Sequence, residues 1–275
     1  ESHLITPASL LHPGGISSGS VLFQNWLGGP WNQRDKGGVK KHVLILAPHP
    51  DDESIIGLLP LRLKEECAAE VWVVPATLGS QKERRAARAR ELREACRRLQ
   101  FRVKFPVSPS QGTAQVEDLV GVLKRIRPAV VFLPHAKDGH PTHRATHRLG
   151  VAAMDALAPQ EFSVVETEYW HPLEHPNLMV SAGEAQLATL CQALSCHKGE
   201  VARNDYAARL PAWMSDNVRR GAELLGGAGS AAPGIAHATL YRVRQRAEGK
   251  WHVPFRGGKR IESAEDARLL LERWG

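Results

Sequence analysis

This sequence predicts a doubly wound α/β fold: a mostly parallel, Rossmann-like sheet with helices on both faces. Three observations carry that prediction. Between Val43 and Pro134, short apolar runs alternate with longer stretches of helical periodicity. The runs Val43-Leu44-Ile45-Leu46 and Ala129-Val130-Val131-Phe132-Leu133-Pro134 are apolar at every position, as strands buried on both faces are. Acids and histidines gather just after them, where open α/β sheets bind ligands beyond the carboxyl ends of their strands.

Taken in order, residues 1–41 are rich in Gly, Pro and Ser and read as an irregular arm. Phe23, Trp26, Leu27 and Trp31 are its expected anchors on the body. Residues 42–275 read as a single domain. After the first strand, Ile55 to about Glu66 has helical spacing, and Ala69–Ala76 is the second strand. A charged helix is expected from Lys82 to Leu99, then a short strand from Arg102 to Val107. Val116–Arg127 is amphipathic, with Val116, Leu119, Val120 and Leu123 on one face, and Pro128 stops it. Beyond the strand ending at Pro134, the pattern predicts a helix reaching past Gly150 and strands at Phe162–Trp170 and Leu178–Val180. Helices follow at Glu184–His197 and at Tyr206–Leu225, the latter interrupted by Pro211. Gly226–Gly234 is a loop, Ala236–Arg244 a strand, and the tail holds one short strand and a helix from about Ala264. These last segments form an antiparallel C-terminal β/α extension.

Composition narrows the function. With 43% apolar residues the chain can bury a large core, and no run approaches the roughly 20 apolar residues of a membrane span. The net charge of +7 suits an anionic partner, but the cations line helix faces without the aromatic interleaving of single-strand binders. No nucleic-acid partner is expected. Cys67, Cys96, Cys191 and Cys196 lack metal-site spacing and read as reduced, buried side chains in helical segments. A cytoplasmic protein is expected; because the chain opens at Glu1 rather than Met, it reads as processed or trimmed, which leaves secretion open.

The stretch Ala47-Pro48-His49-Pro50-Asp51-Asp52-Glu53 crowds one imidazole and three carboxylates at a strand end. Such crowding is repulsive unless a cation or a proton relieves it. His49 and Asp52 are spaced to reach one ion, with Asp51 beside it, and Pro48 and Pro50 stiffen the turn. A second cluster follows Pro134: Asp138, Gly139, His140, Pro141, Thr142 and His143. Pro141 suits the first turn of a helix and Gly139 the bend before it. His147, one turn further, reads as a helix-face surface residue. Two imidazoles and one carboxylate with an open position form a catalytic zinc pattern, although ferrous iron or another divalent metal accepts the same set.

With these motifs the chain resembles the LmbE-like, or PIG-L, family of zinc-dependent N-acetylglucosaminyl deacetylases. The resemblance rests on the acidic turn, Thr77-Leu78-Gly79, Arg88-Ala89-Arg90-Glu91-Leu92 and His140-Pro141-Thr142-His143, and extends over roughly Val43 to Arg244. Weaker similarity lies in Glu166–Trp170, Pro176-Asn177-Leu178 and Ala193–His197. It implies metal ligation by His49, Asp52 and His143, Asp51 as general base, and His140 as the group that meets the developing oxyanion. The substrate implied is a small-molecule amino-sugar conjugate. Two departures stand out: Thr142 replaces an acid, so a carboxylate supporting the histidines is missing, and Gln100 replaces a helix-ending glycine.

On this reading Asp51 takes a proton from the attacking water and returns it to the departing amine, while protonated His140 stabilises the oxyanion. Glu53 supports His49 or the turn. Ser80, Arg85 and Arg88, with Arg84, follow the second strand and are placed to reach sugar hydroxyls or an anionic aglycone. Asp138 binds a hydroxyl or orients His140, and His197 lines the mouth of the crevice. The alternatives are hydrolysis of another amide, such as a thiol-conjugate amide, and a polyanion-binding protein with a vestigial metal site.

Overall fold

Alternating buried strands and helices assemble as expected, into one sheet flanked on both faces. The computed structural model describes residues 41–106, 112–262 and 264–273, so the N-terminal arm and its aromatic anchors lie outside the described residues. The strands are β1 (His42–Ala47), β2 (Glu70–Pro75), β3 (Arg102–Val103), β4 (Val130–Pro134) and β5 (Phe162–Thr167), then β6 (Leu178–Ala182), β7 (His237–Ala247), β8 (Lys250–His252) and β9 (Lys259–Ile261). Their order across the sheet is β3-β2-β1-β4-β5-β7-β6-β9, with β8 paired to β7. From β3 to β5 every pairing is parallel; β7 runs antiparallel to β5 and β6.

Adjacent β1 and β4 therefore end side by side, and the two sequence clusters follow them directly. On one face, Leu44 and Leu46 of β1 and Val131 and Leu133 of β4 pack under α4 (Val116–Ile126) and α5 (Pro141–Asp155). On the other, the Tyr241 phenol of β7 reaches the segment after β1. That segment is not the continuous helix expected from Ile55. It is a single turn, α1 (Asp52–Ile55), a break, and then α2 (Leu58–Cys67). A Cβ on Gly57 would sit against the Glu53 carbonyl, so only glycine permits this break. Tyr241 donates its hydroxyl proton to the Ile56 carbonyl at 2.6 Å and accepts the Leu59 N–H at 3.1 Å, satisfying backbone groups that the break orphans.

The charged helix is a 3₁₀ turn over Lys82–Arg84 followed by α3 (Arg85–Leu99). Gln100 closes it in the left-handed region at φ 55°, the conformation for which glycine is preferred. β3 is only two residues long, where a strand from Arg102 to Val107 was expected; Val107 lies outside the described residues. α6 (Glu184–Leu194) is followed by an unforeseen turn of helix, α7 (Lys198–Arg203), and then α8 (Tyr206–Gly226). Pro211 does not interrupt α8. Its missing N–H frees the Ala207 carbonyl one turn earlier, and the Cys191 thiol fills that role at 3.5 Å. The tail carries two short strands, β8 and β9, rather than one, before α9 (Ala264–Glu272). All four cysteines are free, but only Cys96 is fully buried, and Cys196 lies in the turn after α6.

A buried ion pair ties α8 to the segment after β5. The Arg220 guanidinium donates to both Glu168 oxygens, at 2.9 and 3.1 Å, while Glu168 also accepts the Leu173 N–H. Glu168 is 1% exposed. Arg220→Met is expected to strand that carboxylate and lower unfolding free energy by roughly 3–5 kcal/mol, measured by urea denaturation. A loss under about 1 kcal/mol, the range of an exposed pair, would contradict the burial argument.

Candidate metal centre and active-site cavity

His49, Asp52 and His143 converge at the strand ends, each offering a ligand atom within 4.8 Å of the others. Asp52 Oδ2 stands 3.5 Å from His49 Nδ1 and 3.5 Å from His143 Nε2. Donors bonded to one tetrahedral zinc at about 2.0–2.2 Å are spaced about 3.4 Å apart, so both carboxylate–imidazole separations match a shared metal. Both ring nitrogens of His143 are buried and lack a hydrogen bond of good geometry, an orphan that a cation on Nε2 would relieve.

Local sequence sets each position. β1 delivers His49 on the Pro48–Pro50 turn, and the His49 N–H donates to Asp52 Oδ2 at 2.8 Å, which closes the turn. α5 begins at Pro141, as expected, and places His143 in its first turn. Burial alone would raise the Asp52 carboxyl; the His143 and His49 imidazoles outweigh it and hold the group below the usual carboxylate range. Burial disfavours the charged form of His143, but Asp52 and Asp138 outweigh it and raise the imidazole above its ordinary value.

Asp138 resolves the puzzle of Thr142. Its side chain does not face the cavity as a hydroxyl contact; it is 1% exposed. It accepts the His140 N–H at 2.7 Å and lies 3.4 Å from His143 Nδ1, on the far side of the ring from Asp52. This chain thus supplies its supporting carboxylate four residues before Thr142 rather than at it. Asp138→Asn is expected to weaken metal affinity by roughly 10–100-fold, read by competition with a chelating dye. Unchanged affinity would remove the orienting role.

Asp51 adopts φ 109° and ψ −33°, a conformation L-residues rarely take, and it is 7% exposed. Its N–H donates to Glu53 Oε2 at 2.9 Å, and His197 Nε2 meets Glu53 Oε1 at 2.9 Å. Glu53 therefore supports the turn rather than His49. His197 does not line the mouth; at 1% exposure it is packed behind Glu53. Burial, then the charges of Asp52 and Glu53, push the Asp51 carboxyl well above its usual range, with Arg88 pulling the other way. A cation beside it would lower it again.

His140 caps α5, and its Nδ1 accepts the Thr142 N–H at 3.2 Å. A neutral ring in that arrangement carries its proton on Nε2. Burial and the neighbouring His49 and His143 imidazoles hold His140 below its ordinary value, which favours the neutral ring over the protonated one expected from sequence. His147 is no surface residue. It is buried, its Nδ1 is 2.9 Å from the Pro134 carbonyl oxygen, and its ring stacks on Trp251.

These groups open into a cavity of about 810 Å³ lined also by Ser80, Arg85 and Arg88. Arg85 Nε donates to the Gly79 carbonyl at 3.0 Å, while Arg88 donates to the Pro50 carbonyl at 3.2 Å and pairs with Glu200 at 3.4 Å. Arg88 therefore braces the acidic turn as well as lining the cavity. Gly79, at φ 94°, leaves it room: a Cβ there would come within 2.5 Å of Arg88 Nη1. The opposite wall comes from Trp170 and from α7 and α8, including Tyr206 and Trp213, which sequence reasoning missed. The Tyr206-Arg209-Leu210-Trp213 spacing, one helix face by the i, i+3, i+4, i+7 rule, was the available signal.

Residues 44–154 match the family model described as PIG-L, GlcNAc-PI de-N-acetylase. That stretch carries the match to the PIG-L, LmbE-like family. Both halves of the candidate metal centre lie inside the matched stretch. A probable N-acetyl-alpha-D-glucosaminyl L-malate deacetylase 2 of Bacillus cereus is 23% identical over 147 residues, 46% of this chain and 67% of that protein. The N,N'-diacetylchitobiose deacetylase of Pyrococcus horikoshii superposes with a TM-score of 0.56 at 18% identity, covering 84% of this chain and 94% of its own. GalB, the 4-carboxy-2-hydroxymuconate hydratase of Pseudomonas putida, reaches 0.58 at 18% identity over 74% of this chain and 96% of its own. Likenesses this distant establish the α/β fold alone, and a hydratase among them shows that this fold serves more than one reaction.

Proposed function

We propose that this protein is a metal-dependent N-deacetylase, acting through one domain from residue 42 onward on an N-acetylglucosaminyl-type sugar conjugate. One observation supports it above the rest. A two-histidine, one-carboxylate cluster sits at the base of a small-molecule-sized cavity, with a buried carboxyl that is not in the cluster beside it. Deacetylation needs those two things together: a Lewis acid and a separate base.

His49, Asp52 and His143 would hold the metal. Zinc is the expected ion, with ferrous iron or another divalent cation open to the same ligands. When bound it would supply Lewis acidity, polarising the acetamide carbonyl and making water a better nucleophile at neutral pH. Asp51 takes a proton from the attacking water as the new C–O bond forms. His140, through Nε2–H, donates a hydrogen bond to the carbonyl oxygen as that oxygen gains negative charge. Asp51 then passes its proton to the nitrogen as the C–N bond breaks, releasing acetate and a free amine. Ser80 and Arg85 are assigned to the sugar hydroxyls or the group attached to the sugar.

No helix among the described residues is long and apolar enough to cross a membrane. The four free cysteines suit a reducing compartment such as the cytoplasm. The test combines metal analysis of purified protein with acetate release from a panel of N-acetylated amino sugars. A panel of thiol-conjugate amides runs beside it. Acetate from the first panel alone is expected. Cleavage of the second alone, or salt-sensitive polyanion binding without any hydrolysis, would overturn the proposal.

A further inference from the structure

One wall of the cavity, running from beside His140, is built for something other than a bare sugar. Trp170 stands beside His140, ring centroids 6.2 Å apart, and is 56% exposed although it lines the cavity. Tyr206 meets Trp170 edge-on at 6.2 Å. Trp213 follows on the same face of α8. Three aromatic rings thus continue the cavity outward from the reacting position. A large aromatic left open to water is poorly explained by packing and well explained by a planar or apolar ligand.

Arg209 lies on that face between Tyr206 and Trp213 and lines the same cavity. The neighbouring cations are engaged: Arg203 pairs with Glu200, Arg88 with Glu200 and the Pro50 carbonyl, and Arg85 with the Gly79 carbonyl. The Arg209 side chain has no hydrogen bond, ion pair or ring contact among the described residues. A guanidinium set between aromatic rings on a cavity wall is suited to a carboxylate or phosphate. The whole wall lies beyond residue 154, outside the stretch matched to the family.

We infer that the group attached to the sugar is apolar or aromatic and carries an anion. It rests on the Trp170–Tyr206–Trp213 wall, with its carboxylate or phosphate on Arg209. This inference depends on the deacetylase reading for the position of the sugar and deepens it by naming the attached group.

The experiment compares acetate release from three β-glycosides of N-acetylglucosamine, carrying methyl, phenyl or 4-carboxyphenyl groups. It also measures binding of the carboxyphenyl glycoside to chelated, metal-free protein by quenching of tryptophan fluorescence. Wild type is expected to favour phenyl over methyl, and carboxyphenyl over phenyl, each by about tenfold in kcat/KM, the size of one good contact. Arg209→Gln should collapse the second preference through KM and weaken binding to metal-free protein about tenfold. Trp213→Ala should collapse the first preference and leave the carboxylate preference in place. Equal kcat/KM across the three glycosides, or preferences that survive both substitutions, would overturn the inference while leaving deacetylation intact. If no glycoside loses acetate, the deacetylase reading fails, and the binding arm still decides: tight binding weakened by Arg209→Gln supports the wall as an anion-and-aromatic site, and no binding ends it.

Discussion

Asp51→Asn is expected to keep its metal and to lose deacetylation by roughly 10²–10⁴-fold, the range of a lost general acid–base group. The substitution is close to isosteric, and asparagine tolerates positive φ better than most residues, so the turn should hold. The ligand atoms of His49, Asp52 and His143 are untouched. What disappears is a carboxylate able to accept a proton from water and release it to the leaving amine. The charge change also removes repulsion toward Asp52 and Glu53, so the thermal midpoint should not fall. Metal content by mass spectrometry, melting temperature and acetate release together read out the prediction. A variant within a few-fold of wild-type turnover would take the base role away from Asp51. His140→Ala should likewise keep metal; losing one oxyanion donor costs about 2.7–4 kcal/mol of barrier, so its defect is expected at the lower end of the Asp51 range.

Stripping the metal should abolish turnover, and His143→Ala should do the same by a different route. His143 is fully buried, and its Nε2 faces Asp52. Truncating it removes one of two imidazoles and the ring that stands between Asp52 and Asp138, so both metal and activity should fall to background. In the native protein, activity lost on chelation should return with added divalent ion, and separate reconstitution with zinc and with ferrous iron identifies the productive one. Sustained acetate release by protein shown to be metal-free would refute the centre.

How much of this was legible in the sequence depends on chain distance. The parallel half of the sheet is written in short apolar runs, because a strand buried on both faces needs apolar residues at every position, and β1 and β4 show that plainly. His49 and Asp52 could be paired because a three-residue spacing within one turn nearly fixes their separation. Three features were out of reach. The break at Gly57 depends on Tyr241, 185 residues away from Ile56, and no local pattern announces that partner. The spacing put His197 at the mouth and left Asp138 between a hydroxyl contact and orienting His140, because it gives proximity but not which way a side chain turns. Both point inward, to His143 and to Glu53. The aromatic wall from α8 was overlooked because its stripe reads as ordinary helical amphipathicity until the fold sets it across from the acidic turn.

The backbone at Asp51 carries a consequence for how this protein would respond to breeding. A glycine there would relax an unfavourable main-chain conformation and delete a repelled charge in one step, a gain of order 1–3 kcal/mol from the conformation alone. A population bred only for survival at high temperature would therefore drift toward that replacement and be sterilised by it. With Asp51 as the proposed base, durability and turnover would be set against each other at this one residue, and a programme that hardens the protein would screen for acetate release in every round.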